Sequence, residues 1–278
     1  MSGTAVVTIV HGRREHLALQ RRSLARQTAP PAHVVVAMDD PDLEVPDATV
    51  VHLPRLPMGL PLAAARNAGA RAALADGADV LVFLDVDCVA EPGLVAAYDE
   101  VVRQQPGTVW SGPVTYLDPP PPGGYDLDAL AALDSPHPAR PAPRRGELLH
   151  DADPNLFWSL SFACGADAWR RSGGFCEDYV GYGGEDTDFG RTLVARGLDL
   201  GWTGSARAHH QWHPVSSPPV EHVDDIVRNA ALFHRRWGEW PMLGWLDELE
   251  RRGLVAHRDG AWEALTTADP SPTHAHAR

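Results

Sequence analysis

Ala5–Val10 (AVVTIV) is an unbroken run of apolar and β-branched residues. Without polar alternation, such a run predicts a strand covered on both faces. His33–Met38 (HVVVAM) and Asp79–Leu84 (DVLVFL) repeat the pattern, and Thr49–Leu53 is a shorter version. Helical spacing fills the gaps. Glu15–Gln27 carries Leu17, Leu24 and Ala25 and stops before Pro30-Pro31. Pro61–Ala75 opens on proline and is followed by Gly77, and Gly93–Arg103 follows Pro92. Thr108–Thr115 predicts one more strand. Strands alternating with helices predict an α/β fold with a mostly parallel sheet. Ligands of open sheets of this kind sit beyond the carboxyl ends of the strands. Asp39-Asp40 and Asp85-Val86-Asp87 lie at two such ends.

The pattern breaks at residues 118–145, where PPPPGG and PHPARPAPRR bracket a weakly helical Leu127–Leu133. Proline at this density does not build a sheet interior, so the stretch reads as a surface excursion or mobile lid. Phe157–Cys164 returns to strand composition, and Ala166–Arg171 predicts a short helix. Glu185–Ala195 predicts a helix stopped at Gly197, followed by helices over His222–Trp237 and Pro241–Arg252. The polar tail at 266–278 reads as disordered.

Length and charge narrow the class. A chain of 278 residues suffices for one large domain or a domain with an appendage. The expected division is a main domain over 1–219, a helical extension over 220–265, and the tail. Net charge is −13, and all 24 basic residues are arginine. An acidic chain without a basic run argues against general nucleic-acid binding, yet local arginines or a metal can still receive an anionic ligand. Cys88, Cys164 and Cys176 match no zinc spacing and suggest no disulfide framework, as in a reducing compartment. MSGTAVVTIVHGRREHL is apolar and then basic, the reverse of a signal peptide, and no apolar run approaches the ~20 residues that span a bilayer. A cytoplasmic protein without stable membrane insertion is expected.

Four constellations could carry chemistry. FLDVDC places Asp85 and Asp87 after a buried strand, where hard divalent cations find carboxylate oxygens beside substrate phosphates; acids that merely solvate a turn are the plainer alternative. GYGGEDTDFG crowds Glu185, Asp186 and Asp188 behind Gly183-Gly184. Acids complement a helix N-terminus, but the glycines also allow close approach of a ligand, and a carboxylate on a rigid helix suits a general base. ARAHHQWHP clusters His209, His210 and His213, of which His210 and His213 could share a face toward a transition metal; chance clustering among 14 histidines competes. AAARNAGARAA sets Arg66 and Asn67 among small residues, as a solvated pair or a phosphate-holding one. Arg13 and Arg14 hold an equivalent place after the first strand. There is no GxGxxG and no phosphate-loop lysine.

Together these segments resemble a GT-A (Rossmann-like) glycosyltransferase of the family 2 type over about residues 4–235. The likeness rests on HGRREHLALQRRSLARQT, HVVVAMDD, LAAARNAGARAA, VLVFLDVDCVAEPGLV and WSLSFACGADAWRRSGGFCEDYVGYGGEDTDFGRTLVARG, in that order. GGFCEDYVGYGGEDTD is also similar to the C-terminal catalytic segment of β-1,4-galactosyltransferases. The resemblance implies an inverting, metal-dependent transferase (Mn²⁺ or Mg²⁺) moving a sugar from a nucleotide-sugar, UDP-linked by family habit, to an acceptor hydroxyl on a carbohydrate or other molecule. It implies Asp85 and Asp87 as the D-x-D at metal and diphosphate, with His210 and His213 as later metal ligands. One of those two is a methionine in the galactosyltransferases. It implies Asp39 or Asp40 reading the nucleobase, Arg66 near the base or diphosphate, Asp186 as base, and Glu185 orienting the acceptor; Arg13 and Asn67 are donor-side candidates by their own positions after the first strand and beside Arg66. Trp158, Trp169, Tyr182 and Gly184 are acceptor-side candidates. Asp39-Asp40-Pro41-Asp42 replaces the usual acid–Gly–Ser, and the 118–145 insert has no family counterpart.

Two rivals compete with this reading. A sugar nucleotidyltransferase would want a Gly-rich basic loop where VHGRREHL stands. A non-catalytic nucleotide-sugar binding protein would tolerate loss of residues that are present here. The helices after residue 220 read as an accessory lobe or a homodimer face.

Overall fold

The computed structural model describes residues 3–265. They fall into two compact units, one running up to Gly181 and resuming over Glu185–Pro214, the other made of Tyr182–Gly184 and the residues from Val215 on.

The first unit is built on strands β1 (Gly3–Val10), β2 (Ala32–Met38), β3 (Thr49–Leu53) and β4 (Ala78–Leu84), with helices α1 (Arg14–Leu24) and α2 (Leu62–Ala75) between them. β5 (Cys88–Ala90), α3 (Leu94–Gln104), β6 (Thr108–Ser111), β7 (Val114–Tyr116), β8 (Leu148–Leu149), β9 (Ser161–Gly165), α4 (Ala166–Ser172), α5 (Glu185–Ala195), β10 (Asp199–Thr203) and β11 (Ala208–His210) follow. The main sheet has eight strands in the order β3-β2-β1-β4-β9-β6-β10-β8. β3, β2, β1 and β4 are mutually parallel, as are β6 and β10; β9 runs antiparallel between β4 and β6, and β8 lies antiparallel to β10 at the edge. The all-apolar strands are the ones covered on both faces, with Val6, Val35, Val36, Leu81 and Val82 fully buried.

α2 shows why its sequence is so poor in large residues. A Cβ at Gly69 would stand 2.3 Å from Val7 Cγ1, so the helix lies tight on β1. That packing holds Arg66 at a fixed height beside the carboxyl end of the sheet.

The predicted single strand over Thr108–Thr115 is two strands in two sheets. Pro113 has no N–H to continue a ladder, and a Cβ at Gly112 would overlap the Ala206 carbonyl at 1.9 Å. β7 therefore leaves the main sheet and joins a small one, β5-β11-β7, in which β11 is antiparallel to β5 and parallel to β7. The predicted strand Phe157–Cys164 shortens to β9, because Pro154–Leu156 forms a 3₁₀ turn just before it. Leu127–Leu133 contracts to a 3₁₀ turn at Leu130–Ala132. The Pro-rich stretch is nonetheless anchored: Leu127 and Leu130 are buried against Val89 and Leu117, and Arg26 pairs with Asp128.

In the second unit, α6 (Val223–Trp237) and α7 (Leu243–Arg251) pack around Ile226, Ala230, Leu246 and Leu249. Its hairpin, β12 (Val255–Arg258) with β13 (Ala261–Ala264), adds Val255 and Trp262 to that core. The sequence reading foresaw helices here and not the hairpin. The tail expected to be disordered lies outside the described residues. Among the described residues, no helix is long and apolar enough to cross a membrane.

Candidate active site

β4 delivers Asp85 and Asp87 to the carboxyl rim, and a buried glutamine fixes the turn between them. Gln20 Nε2 donates to the carbonyls of Asp85 at 2.7 Å, Cys88 at 3.1 Å and Leu84 at 3.3 Å, while its Oε1 accepts from Thr8 Oγ1 at 2.9 Å. With the backbone held, the two acids take different partners. Asp85 accepts from Arg66 Nη2 at 3.2 and 3.3 Å. Asp87 faces Arg13, His210 and His213.

The histidines reach Asp87 through the small sheet. In the β11–β5 register His210 lies opposite Cys88, and Gln211 N–H donates to the Asp87 carbonyl at 2.7 Å. Strand alternation then separates two neighbours in sequence. His209 is sent to a buried Glu91 at 3.1 Å, and His210 Nε2 comes to 3.4 Å from Asp87 Oδ2. His213 Nε2 stands 3.6 Å from the same oxygen. One ligand atom from each of Asp87, His210 and His213 lies within 4.8 Å of the other two. Ligands at about 2.1 Å from one ion at roughly 110° stand about 3.4 Å apart, so these separations suit a shared ion. One carboxylate oxygen with two imidazoles is a donor set for a transition metal rather than an all-oxygen cage. Burial pulls the Asp87 carboxyl upward, but hydrogen bonds from His210 and His213, with charge from His210 and Arg13, outweigh it and hold it well below the usual carboxylate range. Asp85 stands apart from this trio. Its burial pushes the carboxyl up, with Arg66 opposing and Asp87 adding to the rise.

Arg66 ties the two acidic motifs together. Its side chain is 5% exposed, and its Nη1 donates to Glu185 Oε1 at 3.1 Å while Nη2 holds Asp85. Phe175 covers the guanidinium, its ring centre 5.3 Å away. The three acids at the head of α5 thus have separate surroundings. Glu185 is held by Arg66, Asp188 accepts from Tyr179 Oη at 3.2 Å, and Asp186 accepts the Thr187 N–H at 2.7 Å. Burial and the neighbouring Glu185 charge push the Asp186 carboxyl up to about 7. That value suits a proton acceptor at neutral pH.

The other candidates are distributed unevenly. Arg14 Nη2 donates to both carboxylate oxygens of Asp40, at 2.8 and 2.9 Å, beside an exposed Asp39 in left-handed geometry with φ 54°. Asn67 is buried, and its amide donates to Phe175 O and Glu177 Oε1 at 2.9 Å and accepts from Phe175 N–H. Its amide is therefore engaged in pinning the 174–177 loop. Trp169 is buried in the aromatic core, stacked on Phe83 at 4.9 Å. Trp158 is half-buried, its ring edge-on to His137 at 5.2 Å. Tyr182 and Gly184 belong to the second unit, where Tyr182 stacks on His222 at 4.8 Å.

Sequence reasoning missed Gln20, Gln211 and Tyr116. Gln20 had a signal: with Leu17 and Leu24 it lies on the apolar face of α1, and a polar residue there needs buried partners. Tyr116 stacks on His210 at 4.5 Å, a contact that depends on the β7–β11 pairing.

The sheet order and the acidic carboxyl rim define the class: this is the GT-A glycosyltransferase fold. Among solved structures, the chain is similar to GalNAc-T7 with UDP, GalNAc and Mn²⁺ (TM-score 0.57, 14% identity, 90% of this chain and 57% of that one). It is also similar to S. aureus TarS 1-349 (TM-score 0.55, 12% identity, 83% and 65%). In sequence it is 30% identical over 253 residues to a validoxylamine A glucosyltransferase of Streptomyces hygroscopicus subsp. limoneus, covering 77% of this chain and 52% of the relative. A second validoxylamine A glucosyltransferase, from Streptomyces hygroscopicus subsp. jinggangensis (strain 5008), is 30% identical over 208 residues, 64% of this chain and 45% of the relative. The chain spans about half the length of these relatives. No family model matches it.

Proposed function

We propose that the chain is a metal-dependent, inverting glycosyltransferase that moves a sugar from a nucleotide-sugar to an acceptor hydroxyl. One observation carries the reading. Arg66 bonds both Asp85, beside the candidate metal trio, and Glu185, beside the candidate base. Donor-side and acceptor-side acids thus share one buried cation, which brings the two motifs together, and proximity is what a single displacement at one anomeric carbon needs.

Asp87, His210 and His213 are the residues that would hold a divalent transition metal such as Mn²⁺, with Asp85 two residues away in the D-x-D. Held there, it would supply positive charge against the leaving diphosphate. Arg13, already at Asp87, is placed to meet the same phosphates. Asp39 and Asp40 are the candidates for nucleobase contact, with Arg14 orienting Asp40. Glu185 has one oxygen fixed by Arg66, leaving the other to orient the acceptor hydroxyl. Asp186 takes the hydroxyl proton as the oxygen attacks the anomeric carbon opposite the leaving group. Trp158 offers a ring to the acceptor. UDP is the first nucleotide to try, since a neighbour of this fold was solved with it, and glucose the first sugar, given the names of the relatives.

The test is to incubate the full chain with UDP-glucose and other nucleotide-sugars plus Mn²⁺, following nucleotide release with and without simple acceptors. Metal-dependent release, lost in Asp186→Asn, supports the proposal. Nucleotide-sugar binding without turnover under all conditions favours a non-catalytic binding protein, and no nucleotide binding at all defeats both.

A further inference from the structure

Three arginines of the described residues are buried: Arg66, Arg140 and Arg207. Arg66 has Asp85 and Glu185, and Arg207 has Asp134. Arg140 has no carboxylate. Its Nη2 donates to the Trp158 carbonyl at 3.3 Å, while Nε and Nη1 are buried with no hydrogen-bond partner. The rings of Trp202 and Trp158 lie 4.6 and 5.2 Å from the guanidinium carbon. Ring contacts favour a cation over their faces and give nothing to its N–H groups. A buried charge with unfilled donors is costly to the fold unless a counter-charge arrives.

The surroundings indicate where that counter-charge comes from. Arg140 belongs to the Pro-rich stretch, which is fixed to β7 by the Thr115–Pro136 bridge and by His137 N–H to Val114 O at 3.1 Å. β7 carries Tyr116, which is 43% exposed and stacked on His210. From there, ring contacts run from Tyr116 to His137 at 5.2 Å, and from His137 to Trp158 at 5.2 Å. A line of rings thus leads from the candidate metal trio to the unpaired guanidinium.

We propose that Arg140 receives an anionic substituent of the acceptor, a carboxylate or phosphate group, while Tyr116, His137 and Trp158 flank the sugar that bears it. The proposal rests on the transferase reading above. The donor diphosphate is already matched by Arg13 and by the ion that Asp87, His210 and His213 would hold, whereas Trp158, which contacts Arg140, is an acceptor-side group, so the acceptor supplies the anion. The unpaired nitrogens have no exposed surface, so binding requires the Pro-rich wall to shift. Residues 118–145 then set acceptor specificity.

The test titrates the full chain, loaded with Mn²⁺ and UDP, with glucuronate, glucose 6-phosphate and glucose by calorimetry. At least one anionic sugar should bind about ten- to hundredfold more tightly than glucose, the range of hydrogen bonds to a charged group. Whether glucuronate or glucose 6-phosphate gains separates carboxylate from phosphate. Arg140→Met should remove that preference, leave UDP affinity unchanged, and melt no lower than the wild type without ligand. Anionic sugars that bind no better than glucose overturn the proposal, as does a preference that survives in Arg140→Met. Weakened UDP binding in that variant also overturns it, by assigning the anion to the donor. Should Arg140→Met fail to fold, Arg140→Lys keeps the charge and loses the planar fork; an intermediate preference supports the proposal and an unchanged one defeats it. Normal UDP binding without anion preference sinks this inference alone, while absent UDP and Mn²⁺ binding sinks the transferase reading.

Discussion

Arg66 Nη1 lies 3.1 Å from Glu185 Oε1, joining residues 119 positions apart in the chain. The same guanidinium holds Asp85, so one buried cation neutralises a carboxylate from each of two motifs. Removing it leaves both acids uncompensated. Arg66→Met is expected to lower unfolding free energy by about 3 kcal/mol, the usual loss when one partner of a buried pair is deleted. Urea denaturation checks this, with Arg66→Lys falling between. An unchanged midpoint would mean that the pairs contribute no net stability.

Asp186→Asn is expected to reduce kcat by roughly 10²–10⁴-fold, the typical contribution of a general base. UDP and Mn²⁺ affinity should stay near wild type, which calorimetry measures. Full turnover in this variant would remove Asp186 from the mechanism.

The elevated Asp186 carboxyl sets a pH dependence with two signs. A base must be ionised, so kcat/KM should rise with pH through an inflection near 7. Stability should move the other way. The folded pKa lies above the unfolded value of 3.8, so this group's contribution is fully present below about pH 4 and is lost as pH climbs through about 7. Asp186→Asn should therefore be more stable than wild type at pH 8, on the order of 2 kcal/mol after solvent screening, and show no such gain at pH 4. Melting curves at the two pH values test this.

Asp87→Asn and His213→Ala should each weaken Mn²⁺ binding more than tenfold, measured by calorimetry or by the Mn²⁺ paramagnetic signal. Asp85→Asn should weaken it less, because the Asp85 carboxylate is turned to Arg66. Equal losses in all three would put both aspartates on the ion. Exhaustive chelation should stop turnover.

Gln20→Leu removes a fully buried amide that serves the carbonyls of Leu84, Asp85 and Cys88. Unsatisfied buried carbonyls cost about 1–3 kcal/mol. The variant should lose stability in that range and bind Mn²⁺ more weakly although it touches no ligand. Intact metal affinity with lowered stability would confine Gln20 to a structural role.

Much of this was open to reading in one dimension. Runs such as AVVTIV and DVLVFL have no polar face, and only a strand buried on both sides accommodates them. Helix bounds followed from proline and glycine punctuation, and Glu185–Ala195 needed no adjustment. The carboxyl-end placement of Asp85 and Asp87 followed from the order of elements. Local chemistry misled where it depended on an element elsewhere. Thr108–Thr115 has strand composition throughout, yet the Ala206 carbonyl and Pro113 divide it. The amide of Asn67 bonds the backbone of Phe175, 108 positions away, a partner that no local pattern announces.

The sequence alone determined the α/β alternation, the acids on the rim and the acidic head of α5, because periodicity and turn residues act within a few positions of one another. Only the tertiary structure decided that His210 and not His209 meets Asp87, that Asp85 turns to Arg66, and that Arg140 is buried without a carboxylate. Those outcomes depend on strand register and on partners far away in the chain, and the type of a residue does not say which distant group will fill its hydrogen bonds.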